Sequence, residues 1–215
     1  LWITNSIAGK RNEPYRLTVY CQNHTGYLSL CLLLSKAWME NQYLGRGELK
    51  LEWLTPENCK GLICLSGGPL GIIERLLMGK TPEEADAVTE QLKKAFPGRL
   101  YLEVQRAGRK GDDALVAKMA GHSVAQKLPL VATHPVQFLK KEDFTAHEVR
   151  VCIAQGYVLA DPKRPREYTP QQYFKTEEEM RELFSDIPQA LENTVVIAPV
   201  SYTHLRAHET EADLV

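Results

Sequence analysis

The chain has 215 residues, of which 44% are hydrophobic and 25% charged, and its formal net charge is -1. That is the composition of a soluble globular protein long enough to build one domain with a full core. The near-neutral balance excludes a global attraction to nucleic acid, so any DNA contact has to be a local patch, and the longest apolar run, Leu30–Leu34, is too short to span a bilayer.

The cysteines Cys21, Cys31, Cys59, Cys64 and Cys152 are odd in number, form no CxxC pair and sit mostly in apolar patterns. Reduced, buried thiols and a cytoplasmic protein are expected rather than a disulfide framework. No signal peptide is visible. The chain begins without methionine, and Leu1-Trp2-Ile3 reads as the tail of a strand whose beginning is missing, so a fragment is expected.

Leu17–Gln22 is a β-branched and aromatic run suited to a strand. A helix capped by Asn23 or Thr25 is expected through about Met39, with Leu28, Cys31, Leu32, Ser35 and Trp38 on its packed face. After a polar break at Asn41–Gly47, Leu49–Leu54 is a short element of open type. Gly61–Ser66 reads as a buried strand ending in Gly67-Gly68-Pro69. A helix over Leu70–Met78 follows, then a second one opened by a capping box, with Thr81 as N-cap, Pro82 first and Glu84 third. Ala85, Val88, Leu92 and Ala95 share its inner face.

Arg99–Gln105 is the next strand, with Leu100, Leu102 and Val104 alternating against polar neighbours. Asp112–Lys127 is a helix with Leu115, Met119 and Val124 in the core, and Pro129–Thr133 is a strand. His134-Pro135 breaks the chain before a helix over Glu142–Gln155. Strands and helices alternate, which predicts a mainly parallel sheet with helices outside. In such folds the residues just past a strand's carboxyl end line the functional face, which singles out His134, Pro135, Val136 and Gln137.

Beyond Tyr157, Asp161–Arg166 is a basic, proline-rich connector. A second capping box at Thr176–Glu179 starts a helix to about Phe184, Pro188 opens the last helix, and Pro199 is expected to break it. Pro199–Val215 lacks apolar periodicity and reads as a non-native, adapter-like tail. The spacing of His204 and His208 in it is therefore not taken as a metal pair. The expected division is residues 1–157 as a partial barrel, 158–198 as connector and helices, and 199–215 as tail.

No HxH, HExxH, GxxxxGK[ST] or GxSxG motif is present, so the residues alone support only an α/β domain. Several stretches go further: NHTGYLSLCLLLSKA (Asn23–Ala37), GLICLSGGPLG (Gly61–Gly71), FPGRLYLEVQRAGR (Phe96–Arg109), LPLVATHPVQFL (Leu128–Leu139), the run Glu142–Met180, and LFSDIPQALENTVVIA (Leu183–Ala198). In this order they resemble the PHP (polymerase and histidinol phosphatase) domain of bacterial replicative DNA polymerase III alpha subunits, in their proteobacterial form.

The resemblance implies an α/β fold, a partial β/α barrel with its first strands missing, followed by a short helical connector. It implies a parent protein that is a DNA-directed DNA polymerase whose nucleotidyl transfer, with divalent magnesium, belongs to a palm domain outside this chain. The implied partners are the proofreading exonuclease subunit, the other subunits of the holoenzyme and, through the parent, DNA; no membrane is implied. Metal-bearing relatives hold divalent ions on His, Asp, Glu and Cys at the strand ends for phosphoester hydrolysis. This chain departs from that ligand pattern, with Arg16 for a His, Gly68 for a Cys, and Pro135-Val136-Gln137 where Asp-x-His would stand. Arginine, glycine and proline side chains offer no metal ligand, and a glutamine carbonyl is a poor substitute for imidazole. A scaffold and docking role without catalytic residues or metal is expected, with an active PHP phosphoesterase or proofreading domain as the alternative.

His134 remains as a strand-end site residue, against the reading of a histidine hydrogen-bonded in a loop. His147 is read as a packed or capping histidine, with its neighbour Glu148 pointing elsewhere. Lys163, Arg164 and Arg166 are candidate contacts for DNA phosphate or a partner, against a solvated loop. Arg106, Arg109 and Lys110 around Gly108 form a second basic loop where a phosphate could sit on the backbone, again against a wet loop.

Overall fold

The computed structural model describes residues 1–7, 10–79 and 81–201. It divides into two units, Leu1–Tyr101 with the chain from Val195, and Leu102–Thr194. The architecture is mixed α/β with parallel strand pairings, as in part of a β/α barrel, and no pairing among the described strands closes one.

The first unit opens with the short strands β1 (Trp2–Ile3), β2 (Ser6–Ile7), β3 (Lys10–Arg11) and β4 (Tyr15–Arg16), which pair antiparallel as β1–β4 and β2–β3. Then come β5 (Thr18–Cys21), α1 (His24–Glu40), and β6 (Gln42–Tyr43) paired with β7 (Arg46–Gly47). Leu51–Trp53 forms one 3-10 turn. After it lie β8 (Leu62–Leu65), a 3-10 turn at Gly68–Leu70, α2 (Ile72–Met78), α3 (Pro82–Ala95) and the start of β9 (Leu100–Gln105).

All of β8 is buried, and it runs parallel to β9, with Cys64 opposite Leu100. Its other neighbour is the antiparallel exception in the expected mainly parallel sheet. β5 is antiparallel to β8, Thr18 facing Leu65, because the excursion through α1 returns to the end it left: the Gln22 N–H donates to the Gly61 carbonyl at 2.8 Å.

Helix α1 is capped as its sequence indicates, the Asn23 side chain accepting from the Gly26 N–H at 3.0 Å. Its buried face is not the expected one. Gly26, Ser29, Leu33 and Ala37 face inward, while Leu28, Leu32 and Trp38 are exposed. The reason is close approach: a Cβ on Gly26 would lie 1.9 Å from the Gly61 carbonyl oxygen, so only the small-residue row can meet the backbone there.

The Thr81 capping box is also corrected. Thr81 is the N-cap of α3, but its hydroxyl donates to the Leu76 carbonyl at 3.2 Å and makes no cap bond. The carbonyls at the end of α2 are open acceptors, and they take the hydroxyl first. Ala85, Thr89, Leu92 and Ala95 form the buried face of α3, with Thr89 beside the expected Val88.

In the second unit the rest of β9 pairs in parallel with β10 (Leu130–Thr133), Leu102 opposite Leu130 and Gln105 opposite Thr133. Between them lies α4 (Asp112–Gln126). The expected alternation along β9 does not hold, since Glu103 and Gln105 are buried along with Leu102 and Val104. Parallel strands are commonly covered on both faces, and this one carries its polar residues inside. In α4 the core row is Val116, Met119 and His122, and Val124 is exposed, being out of phase with that row.

A 3-10 turn at Lys141–Asp143 leads into α5 (Phe144–Gln155). The capping box of α6 (Glu177–Leu183) is formed in both directions between Thr176 and Glu179. Helix α7 runs Pro188–Ser201, through Pro199 rather than stopping at it. Pro199 sits in the last turn, where its missing N–H removes a single bond near carbonyls that are open anyway. His204 and His208 lie outside the described residues.

The five cysteines are free, with Cys59, Cys64 and Cys152 buried, and burial pushes the Cys59 thiol up to about 11. No described helix is long and apolar enough to cross a membrane.

Candidate functional site

The strand ends in the first unit are closed by backbone. Gly67, just past β8, has φ +103°, and a Cβ there would lie 2.0 Å from the Arg16 carbonyl oxygen. This contact sets Arg16 against the turn that contains Gly68. Arg16 is half-buried, and its Nε is buried without a hydrogen-bond partner. Ser66, at the end of β8, donates to the carboxylate of Glu74 on α2, and both side chains are fully buried.

In the second unit the strand ends carry side-chain networks. Glu103 Oε1 accepts from Gln105 Nε2 at 2.9 Å and from the Thr133 hydroxyl at 2.5 Å. Gln105 Nε2 also donates to Thr133 at 3.0 Å, and its Oε1 accepts from Arg109 at 3.0 Å. Arg109 in turn pairs with Asp112 at 3.2 Å. A polar ladder therefore runs from the middle of β9 to the first residue of α4.

In the loop around Gly108, Gly108 and Lys110 are exposed while the backbone donors are taken from within the chain. The Asp112 carboxylate accepts from the backbone N–H groups of Ala107 at 2.7 Å and Arg109 at 3.1 Å. The chain's own carboxylate thus occupies the donors that an anion would use. Arg106 is equally committed: it donates to the Leu183 carbonyl at 2.7 Å, forms a two-pronged pair with Asp186 at 2.6 and 2.8 Å, and reaches Asp113 at 3.3 Å. Its guanidinium holds the Asp186 carboxyl below its usual range through that hydrogen bond. An open cavity of about 520 Å3 next to Arg106 is bordered by Tyr173, Lys175 and Glu179.

His134 follows β10 and hydrogen-bonds through Nε2 to the Gln171 carbonyl at 2.9 Å, while Nδ1 is buried without a partner. Desolvation lowers its pKa. Pro135 offers only its carbonyl, which accepts from Gln172 at 3.2 Å, and the Gln137 N–H donates to the Gln172 carbonyl at 2.8 Å. His147 lies in an aromatic cage, 4.6 Å from the Tyr168 ring and 5.4 Å from Phe138 between ring centres. Its pKa is lowered first by desolvation, then by Arg150.

The basic connector divides. Arg164 is bound to the buried Glu148 carboxylate of α5, while Lys163 and Arg166 are exposed. Arg164 therefore ties the connector to α5, and only the other two bases are open to a phosphate or an acidic partner.

Sequence reasoning missed Glu103, Gln105, Thr133, Asp112 and Glu74. A signal existed for Glu103: a carboxylate set between Leu102 and Val104, in a strand buried on both faces, needs partners to be tolerated. For Asp112 there was none, because a first-turn aspartate is an ordinary helix start.

Arg16, Gly68 and Pro135 supply no side-chain ligand, and among the described residues no three His, Cys, Asp or Glu side chains gather so as to hold an ion.

Comparisons with known proteins identify the family. The PHP domain family matches residues 2–107. Over 200 residues the chain is 42% identical to the DNA polymerase III subunit alpha of Pseudomonas fluorescens, covering 92% of this chain and 17% of that protein. It is 44% identical over 187 residues to the Escherichia coli K12 subunit, covering 87% of this chain and 16% of the relative. For Neisseria meningitidis serogroup A the identity is 42% over 196 residues, with 90% and 17% covered. The chain thus spans no more than 17% of the length of these curated relatives. Residues 2–107 belong to the PHP domain family, in the form carried by DNA polymerase III alpha subunits.

Proposed function

We propose that this chain is the PHP portion of a replicative DNA polymerase III alpha subunit and works there as scaffold and docking surface for the proofreading exonuclease subunit. In this reading DNA synthesis belongs to the whole cytoplasmic polypeptide and its magnesium-dependent palm, within a holoenzyme on DNA. The 215-residue chain by itself does not polymerise DNA.

One observation carries the metal-free part of the reading. Glu103, a buried carboxylate of β9, is engaged by Gln105 and Thr133, and the positions where the resemblance implies metal ligands hold Arg16, Gly68, Pro135 and Gln137. A carboxylate satisfied by amide and hydroxyl donors has its lone pairs directed at protein, and the missing imidazoles and thiolate are not replaced.

The test is elemental mass spectrometry on the domain purified with zinc and manganese present and then exhaustively dialysed. Background metal is the expected result. Retention of about one ion or more per chain overturns the scaffold reading in favour of a metal-dependent phosphoesterase. Co-purification with added exonuclease subunit tests docking separately, and a complete domain that fails to bind it ends that role.

A further inference from the structure

Helix α1 is built inside out. It buries Gly26, Ser29, Leu33 and Ala37 and turns its large side chains outward, with Leu32 72% and Met39 85% exposed and Tyr27, Leu28 and Trp38 about half exposed. Leu28, Leu32, Ser35 and Met39 form one row at spacings of four, three and four. Tyr27, Cys31, Leu34 and Trp38 form a second row beside it at the same spacings. Neither row contains a charge.

The contrast within the same unit is α3, whose exposed positions include Glu83, Glu84, Asp86 and Glu90. A helix that faces water carries charges on its outer side, and one that is apolar on both sides is covered on both. Six large apolar side chains of α1, Tyr27, Leu28, Leu32, Leu34, Trp38 and Met39, are exposed on neighbouring rows, a contiguous patch rather than the scattered single residues of an ordinary surface. Along one flank runs a groove of about 260 Å3 lined by Ser29, Leu32, Leu33, Lys36, Glu57 and Asn58. Its outer lip is Leu32. A ridge of side chains repeating at three and four residues fits such a groove.

We propose that this face of α1 is the seat of a second helix from the same, longer polypeptide, presenting an uncharged aliphatic and aromatic stripe. The inference rests on the reading of the chain as part of a full-length alpha subunit. Two observations select that occupant. The two rows of α1 are uncharged, with Lys36 and Glu57 the charges of the adjoining groove, which is nearer the composition of a permanent contact than that of a transient surface. The relatives also carry more than four-fifths of their length outside the matched part, a covalently attached source of such a helix.

Cys31 lies within the seam and is half-buried, so its thiol reports whether the seat is filled. The experiment compares the 215-residue chain with the polypeptide of the complete reading frame, both native, by thiol alkylation and peptide mapping, with buried Cys59 as the control for unfolding. Cys31 should react at least about tenfold more slowly in the longer polypeptide, as a contact worth 1.4 kcal/mol or more would impose. Leu32→Asp should restore its reactivity there and leave the melting temperature of the short chain unchanged.

Equal Cys31 rates in the two polypeptides overturn the proposal. So does protection of the short chain that rises with its concentration, which assigns the seat to a second copy. Primer extension by the longer polypeptide is scored separately. Extension with a reactive Cys31 sinks the docked helix alone, and protection without extension sinks the polymerase reading alone.

Discussion

The two units close their strand ends by opposite means. In the first, backbone lies on backbone: Gly26 against Gly61, and Gly67 against Arg16. In the second, charged side chains make the closure, with Arg106 on Asp186 and Asp112 on its own loop, and a further pair, Arg164 on Glu148, ties the connector to α5. Backbone apposition is intolerant of added volume and indifferent to pH, whereas charge closure tolerates volume and answers to protonation and to loss of a partner. The backbone contacts of the first unit, beside its buried Ser66–Glu74 pair, are the rigid half of this contrast, and the ion pairs of the second are the charged half.

The largest expected effect tests the rigid half. Gly26→Ala places a Cβ 1.9 Å from the Gly61 oxygen. It should cost about 3 kcal/mol or more, the upper range for overpacking, in urea denaturation. A loss under about 1 kcal/mol would mean that the helix can lift off the strands without penalty.

Next comes the charge half. Arg164→Ala leaves the buried Glu148 carboxylate without its guanidinium and should lower the melting temperature by several degrees. The double change Arg164→Ala with Glu148→Ala should recover part of the loss, since it removes the stranded charge as well. If the double variant is no better than the single one, Arg164 contributes packing rather than charge.

A smaller effect is set by pH. Burial lowers the pKa of both His147 and His134, so the folded state prefers the neutral rings. Below the unfolded value of about 6.5 the unfolded chain binds more protons, and stability falls as pH drops through that value toward the lower folded one. Thermal melts at pH 7.5 and pH 5.5 should show the decline, and His147→Phe should flatten it. An unchanged slope in that variant would place the proton uptake elsewhere.

The smallest effect contrasts two threonines. Thr176→Ala removes a formed capping box and should cost about 1 kcal/mol, while Thr81→Ala loses no cap bond and should cost less. Equal losses would mean that the Thr81 hydroxyl is worth as much on the Leu76 carbonyl as on a helix N-terminus.

Much of this was readable from sequence where the signal is local. The Thr176 box, the Asn23 cap, the fully apolar β8 and the order of strands and helices follow from propensity and periodicity within a few residues. The family resemblance reached further, because the matched stretches run in order along nearly the whole chain before residue 199.

The errors share one cause. Hydrophobicity pointed to Leu28, Leu32 and Trp38 as the inner face of α1, but the turn at Gly61 sits so close to Gly26 that the row of Gly26, Ser29, Leu33 and Ala37 is the one turned inward. Thr81 has the sequence of a capping box, yet a carbonyl at the end of the preceding helix takes its hydroxyl. Arg164 stands in a run that looks solvated, and its partner Glu148 lies 16 positions away. Sequence by itself determined which of the longer segments are helix or strand, because backbone propensity is a property of each residue. Tertiary structure decided which face is buried, which charge is paired and which carboxylate is already satisfied, because these depend on what the fold brings alongside.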